Sequence, residues 1–572
     1  MKLTSRTLLL LTVVASLAFG GQGNGSQGNN GQQGQHGNQS PDIPSSTPTG
    51  WIDVIIQFKG VPTKDQMKQL GPYGQVKKQF SSINAIHMTL PVALVKALAG
   101  SPWISYITPN RPAKSTLDIV TQTVNAPMAW SSGLDGSSIG VAVLDSGVAS
   151  KRDLMNSNGS ASRIVYSESF VAGSDASDQY GHGTHVAGIV GGNGASSTGP
   201  NFKRTLKGVA PNTNIINLKV LDANGQGNVS DVIAAIDRAI QLKNTYNIRV
   251  LNLSLGTPVY ESYTLDPLCQ EVEAAWKAGI VVVVAAGNYG RSSSMGVNGY
   301  GTIGSPGNDP YVITVGATKT NGTPYRFDDT VASYSSKGPT AFDHIVKPDL
   351  VAPGNNVVSL MAPNCTIATL FPSALVQNSY YQVNPAPGNS TEYFRLSGTS
   401  MATPVVAGTA ALMLQKQPSL TPDQVKARLM KTATKIFPLY STNYDERDHN
   451  SFNIQSDIFA VGAGYLDANA ALNSTDLATL PALSPTVSYN AVSKHVYISH
   501  QALTWGDALI WGDLMTWGNS VFVNGTALIW GDAMTWGDAT TTGFALIWGD
   551  SVTASTAIQA FEADDGDQDP TS

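Results

Sequence analysis

Hydrophobic and polar positions alternate with a rhythm that changes several times along the chain, and each change marks a boundary. Residues 8–19 are an almost unbroken apolar run preceded by Lys2 and Arg6 and followed by small residues. Residues 21–50 are nearly all Gly, Gln, Asn, Ser and Pro, without apolar periodicity, and cannot offset the entropy of ordering. From Trp51 the pattern becomes structured: Ile52, Val54, Ile56 and Phe58 alternate as in a half-buried strand, and a polar, helix-like stretch runs to Leu70. Strand signals return near Ile83 to Leu90, Pro91 opens the helical VALVKALAG, and Ile104 to Ile107 reads as a last strand. Residues 51–113 therefore predict a small α+β unit of about 60 residues, near the lower limit for folding alone.

Beyond residue 114 the rhythm is that of apolar strands alternating with helices. Ile139 to Leu144, Asn214 to Leu221, Val250 to Leu255, Ile280 to Ala285 and Pro310 to Ala317 read as strands buried on both faces. Between them fall a helix from about Ser230, whose side chain can cap it, and a helix around Glu271 to Lys277 ending at Gly279. Thr421-Pro422-Asp423-Gln424 forms a capping box that launches another. The pattern over residues 114–475 predicts an α/β fold, a parallel sheet with helices on both faces. In residues 476–561 Trp505, Trp511 and Trp517 recur every six residues, and Trp530, Trp536 and Trp548 resume the repeat after one extra residue. Even spacing puts each Trp on one face of an extended chain, which predicts a repetitive β structure. It serves either as an adhesive or carbohydrate-binding face, its ligand unknown, or as a self-packed stalk. Residues 562–572 form an acidic tail.

Composition adds exclusions. The first 20 residues read as a secretory signal, since the run is shorter than the roughly 20 apolar residues a membrane span requires. No later segment resembles a span, and the chain is expected outside the cell. A net charge of −6 with no basic stripe gives nucleic acid nothing to bind. Cys269 and Cys365 could form one disulfide in an exported protein or stay as two buried thiols, and their separation in sequence does not decide between them.

Three stretches carry chemistry. Ser400 stands in GTSMATP ahead of the small and apolar VVAGTAALMLQ, so its hydroxyl is expected at a helix N-terminus, with Pro404 inside the first turn. Unpaired backbone N–H groups gather there, as an oxyanion needs. Asp145 closes a buried strand, at the end where ligand crevices form in open α/β sheets. His182 opens a small-residue helix in GHGTHVAG. Together they supply an orienting carboxylate, a general base and a nucleophile in the chain order Asp, His, Ser. His185 reads as structural, because HEXXH is absent and no carboxylate follows at metal-ligand spacing.

DSG, HGTHVAG and GTSMATP resemble the three signature blocks of subtilisin-like serine proteases (subtilases, peptidase S8), a likeness that covers roughly residues 115–475. The resemblance implies a secreted endopeptidase with Asp145, His182 and Ser400 as its triad, acting through an acyl-enzyme on polypeptide substrates. It implies that the Asn288 amide joins the Ser400 backbone N–H in an oxyanion hole, and that Gly225-Gln226-Gly227 and Ser254-Leu255-Gly256 clamp substrate as an added strand. A side-chain pocket between Ser254 to Gly256, Ala285 to Gly287 and Ser305 to Gly307 contains no charged residue, which suits a neutral or apolar side chain. The unit at 51–113 resembles an inhibitory propeptide, so that the chain would be a zymogen trimmed between Asn110 and Thr116; the other reading is a permanent accessory domain. The chemistry needs no cofactor. A structural calcium ion fits the family, but the Gly- and Ser-rich region after Gly192 does not match the usual calcium loop, and no ligand is named. A competing reading makes the chain a surface-binding protein that acts through its Trp-Gly-Asp tail, with the protease fold as scaffold.

Overall fold

The computed structural model describes residues 50–80, 83–109, 119–292, 299–445, 450–490, 495–499 and 558–560. The signal, nearly all of the low-complexity linker, the expected cut region at 110–116, the Trp-Gly-Asp repeats and the acidic tail lie outside the described residues. The chain divides into two compact units, Met1–Lys114 and Ser115–Ser572.

In the first unit, β1 (Trp51–Phe58), α1 (Lys64–Leu70), β2 (Gln75–Phe80), β3 (Ala85–Pro91), α2 (Val92–Ala99) and β4 (Ile104–Pro109) form a four-stranded sheet ordered β2-β3-β1-β4 with two helices. Alternate residues Val54, Ile56 and Phe58 of β1 face a core shared with Ile86, Met88, Leu90, Leu94, Val95 and Leu98. Strand β2, QVKKQF, was not legible in the sequence. It is an edge strand, its residues exposed or half-buried, so no apolar alternation betrays it.

The second unit is built on one large sheet. Its strands are β5 (Gly140–Asp145), β6 (Ile164–Ser169), β7 (Asn214–Lys219), β9 (Ile248–Leu253), β11 (Val281–Ala285), β12 (Ile313–Lys319), β13 (Thr330–Val331) and β14 (Leu350–Pro353). The order is β13-β12-β11-β9-β5-β7-β6, with β14 also on β12; the pairings are parallel except β12 with β13. This is the α/β fold expected. The runs GVAVLD and VVVVA are wholly buried because helices cover both faces. Between and after these strands come β8 (Gln226–Gly227), β10 (Leu255–Gly256), and the helices α3 (His182–Gly191), α4 (Val229–Tyr246), α5 (Pro267–Lys277), α6 (Thr399–Lys416) and α7 (Pro422–Thr432).

Three local expectations change. Helix α4 starts one residue before Ser230, with Asn228 at its N-cap and no side-chain cap bond, so Ser230 is not the cap. Helix α5 begins at Pro267, where the Asp266 carboxylate accepts from the Leu268 N–H. Pro404 lies not in the first turn of α6 but as its sixth residue. The ring removes the N–H that would have bonded the Ser400 carbonyl. The Ser254 hydroxyl donates to that carbonyl instead, at 2.9 Å, which ties α6 to the segment after β9. The capping box at Thr421 and Gln424 forms as read.

A buried charge cluster pins the far side of the sheet. Lys347 Nζ donates to Asp349 Oδ2 at 2.7 Å and Lys426 Nζ lies 3.3 Å from Oδ1, all three side chains fully buried. Burial alone would push the Asp349 carboxyl up, but the two ammonium groups hold it below the ordinary carboxylate range. Asp349→Asn leaves two buried cations facing an amide, and is expected to cost about 3–5 kcal/mol of unfolding free energy. Urea unfolding in a Ser400→Ala background, which removes any autolysis, measures this directly; a loss below 1 kcal/mol would mean that the cluster does not depend on its carboxylate.

Candidate active site

Strand β5 delivers Asp145 to the carboxyl edge at the middle of the sheet, and α3 brings His182 against it. The Asp145 Oδ1 accepts from His182 Nδ1 at 2.8 Å and from the Ser146 N–H at 2.7 Å, and both side chains are fully buried. An ionised carboxylate only accepts, so Nδ1 carries the proton and the lone pair of the neutral ring sits on Nε2. The approach needs Gly183, where a Cβ would stand 2.2 Å from the Gly147 carbonyl oxygen and 3.0 Å from Asp145 Cβ.

Helix α3 is held from its N-terminus by a residue that the sequence reading passed over. Asp178 is buried and accepts from Ser146 Oγ, the Gly181 N–H, the Thr184 N–H and Thr184 Oγ1 at 2.6–2.8 Å. It bonds both the turn after Asp145 and the first turn of the His182 helix, so it fixes one relative to the other. An acid just ahead of a glycine-opened helix was the available signal. His185 faces the other way: its Nε2 donates to the carbonyls of Val357 and Phe394 at 3.1 and 3.2 Å. Burial pushes His185 down to about 3 and keeps it neutral.

Ser400 is the second residue of α6 and is fully buried. Its Oγ donates to the Ser254 carbonyl at 2.9 Å, so in this state the hydroxyl is parked on the backbone beside β10. Helices α3 and α6 pack on each other. Asn288 lies three residues past the end of β11, in a loop where its Oδ1 accepts from both the N–H and Oγ1 of Thr399 at 3.0 Å. Those two donors fix the amide orientation and leave Nδ2 buried with no hydrogen-bond partner among the described residues.

Gln226-Gly227 and Leu255-Gly256 become β8 and β10, two short strands aligned on either side of a third, β18 (Ile558–Ala560), antiparallel to both. Gly225 turns the chain into β8 at a φ of 74°, and a Cβ there would meet the Tyr180 ring at 2.5 Å. The stretches expected to line a side-chain pocket lie together: Thr257 and Ser305 exchange backbone hydrogen bonds, and the Gly304 N–H donates to the Ala286 carbonyl. The Ser305 hydroxyl donates to the α5 cap Asp266, a carboxylate that those three stretches do not contain. The long insertion before α6 forms a small sheet of β15 (Val357–Leu360), β16 (Leu375–Gln377) and β17 (Asn389–Leu396), and its Cys365 loop leans on residues next to His182. The Thr366 and Ile367 N–H groups donate to the carbonyls of Gln179 and Tyr180. Cys365 and Cys269 are separate buried free thiols, not a disulfide. Among the described residues no three acidic, His or Cys side chains converge as a metal site.

A parallel α/β sheet carrying a buried Asp–His pair at its carboxyl edge, with a serine at the start of a helix packed on the one that carries the histidine, defines a class of serine hydrolase. The sequence matches the subtilase family, peptidase S8, over residues 136–464, and the chain belongs to this family of serine proteases. It is 38% identical over 398 residues to the serine protease AprX of Bacillus subtilis (strain 168), covering 67% of this chain and 83% of that protein. To subtilisin E of the same organism it is 33% identical over 390 residues, covering 68% and 84%. An alkaline protease of Alkalihalobacillus alcalophilus is 35% identical over 362 residues, covering 63% and 76%.

Proposed function

We propose that this chain is a secreted endopeptidase that cleaves peptide bonds through Asp145, His182 and Ser400. The observation that carries the reading is the buried 2.8 Å contact between Asp145 Oδ1 and His182 Nδ1, which leaves Nε2 as the basic nitrogen. For reaction, the Ser400 hydroxyl turns from the Ser254 carbonyl towards His182 Nε2, which takes its proton as Oγ attacks the substrate carbonyl. Asp145 holds the imidazole tautomer and stabilises the imidazolium. The leaving amine takes the proton back, and water releases the acyl group by the same steps. The Asn288 Nδ2, preset by Thr399 and without a hydrogen-bond partner among the described residues, and the Ser400 N–H receive the negative charge on the carbonyl oxygen.

Asn288→Leu is expected to lower kcat by about 10²–10³, the effect of losing one such donor, with KM little changed. Steady-state kinetics on a chromogenic peptide measure it, and an unaltered kcat would remove Asn288 from the oxyanion hole. Substrate enters between β8 and β10 by backbone hydrogen bonds, which favours broad specificity.

Export follows from the first 20 residues; among the described residues no helix is long and apolar enough to cross a membrane. The unit at 51–113 is read as a propeptide that the enzyme removes from itself. The test is the intact mass of the secreted chain beside its Ser400→Ala variant. Loss of the N-terminal unit near residues 110–116 in the wild type alone is expected. Loss from both would assign the trimming to another protease.

A further inference from the structure

The strand between β8 and β10 is supplied by this chain's own C-terminal region. Gln559 pairs with Gly256 on one side and Gln226 on the other, Ala560 with Leu255, and Ile558 with Gly227. Three residues of the same molecule thus complete a three-stranded antiparallel sheet in the place that the proposed mechanism reserves for a substrate. From this we infer that Ile558–Ala560 is a tethered occupant of the substrate cleft, which blocks it. The inference rests on the protease reading for taking the gap between β8 and β10 as the substrate cleft.

Pairing advances antiparallel from Gly256 opposite Gln559 to Leu255 opposite Ala560, towards Ser254. Ser254 is the residue whose carbonyl holds the Ser400 hydroxyl at 2.9 Å. The occupant is attached to its own enzyme. Dilution does not remove such an occupant, because its effective concentration is set by the tether. The gap between β8 and β10 holds one strand, so a propeptide tail entering it would compete with this segment.

The occupancy is tested without catalysis. In a Ser400→Ala background, a fluorescein-labelled Ile-Gln-Ala-Phe peptide is titrated against the full chain and against the full chain carrying Gln559→Pro, which deletes a ladder N–H. At least tenfold tighter binding to the Pro variant is expected. Equal affinity, or no binding to the Pro variant, overturns the occupancy. A Pro variant that binds the peptide tenfold more tightly supports the occupancy even if no form of the chain hydrolyses peptides, an outcome that would sink the protease reading and not the occupancy.

Discussion

Ser400→Ala is expected to reduce kcat on a peptide substrate by about 10⁶, a magnitude carried over from subtilisin, and to leave the fold and its unfolding midpoint almost unchanged. The buried Ser400 hydroxyl makes one described bond, to the Ser254 carbonyl, and alanine gives up only that. The reciprocal bond from Ser254 Oγ to the Ser400 backbone survives the substitution. The residual rate would come from the oxyanion donors and from substrate positioning, which together hold about 10³–10⁴ over water in such sites. A variant within tenfold of wild type would rule out Ser400 as the nucleophile.

Asp145→Asn is expected to lower kcat by about 10⁴ with little change in KM, since Asp145 orients the base and does not touch substrate. The geometry specifies why. The Oδ1 accepts from both His182 Nδ1 and the Ser146 N–H, whereas Oδ2 is buried without a hydrogen-bond partner among the described residues. An asparagine with its oxygen at the Oδ1 position keeps the tautomer but buries an NH₂ with nothing to accept it, and removes the charge that stabilises the imidazolium. Turned the other way, its NH₂ donates to Nδ1, drives the ring proton to Nε2 and abolishes the base, while facing the Ser146 N–H as a second donor. Both arrangements suppress the reaction. Steady-state kinetics decide it, and a loss of less than tenfold would show that His182 is oriented by something else.

Asp178 makes these two predictions depend on a group that chemistry alone would not single out. Its four accepted hydrogen bonds hold the first turn of α3 to the turn after Asp145, so the 2.8 Å contact between Asp145 and His182 is a consequence of that clamp as much as of β5. The arrangement also accounts for the glycines of the motif. Gly183 admits the strand end, and a side chain in its place would push the helix away from Asp145.

Much of this was legible in the sequence, because its signals are local. Strands buried on both faces read as continuous apolar runs, so β5, β7, β9, β11 and β12 could be placed within a few residues, and their alternation with helices implied a parallel sheet. The motif blocks pointed to Asp145, His182 and Ser400, and the family resemblance they carry pointed to Asn288 and to the segments that form β8 and β10. What the tertiary structure decided was everything that depends on partners distant in sequence. The polar edge strand β2 has no apolar alternation to reveal it. Pro404 could be read as a first-turn residue until the Ser254 hydroxyl was seen to take up the carbonyl it leaves unbonded. The free thiols lie in different surroundings, a fact about distance that spacing cannot encode. Asp178 and the buried cluster around Asp349 gain their roles from neighbours brought in by folding. The pairing of Ile558–Ala560 with strands some 300 residues earlier in the chain is the extreme case. Backbone hydrogen bonds recognise any extended segment, so no side-chain pattern marks the one that will occupy the gap.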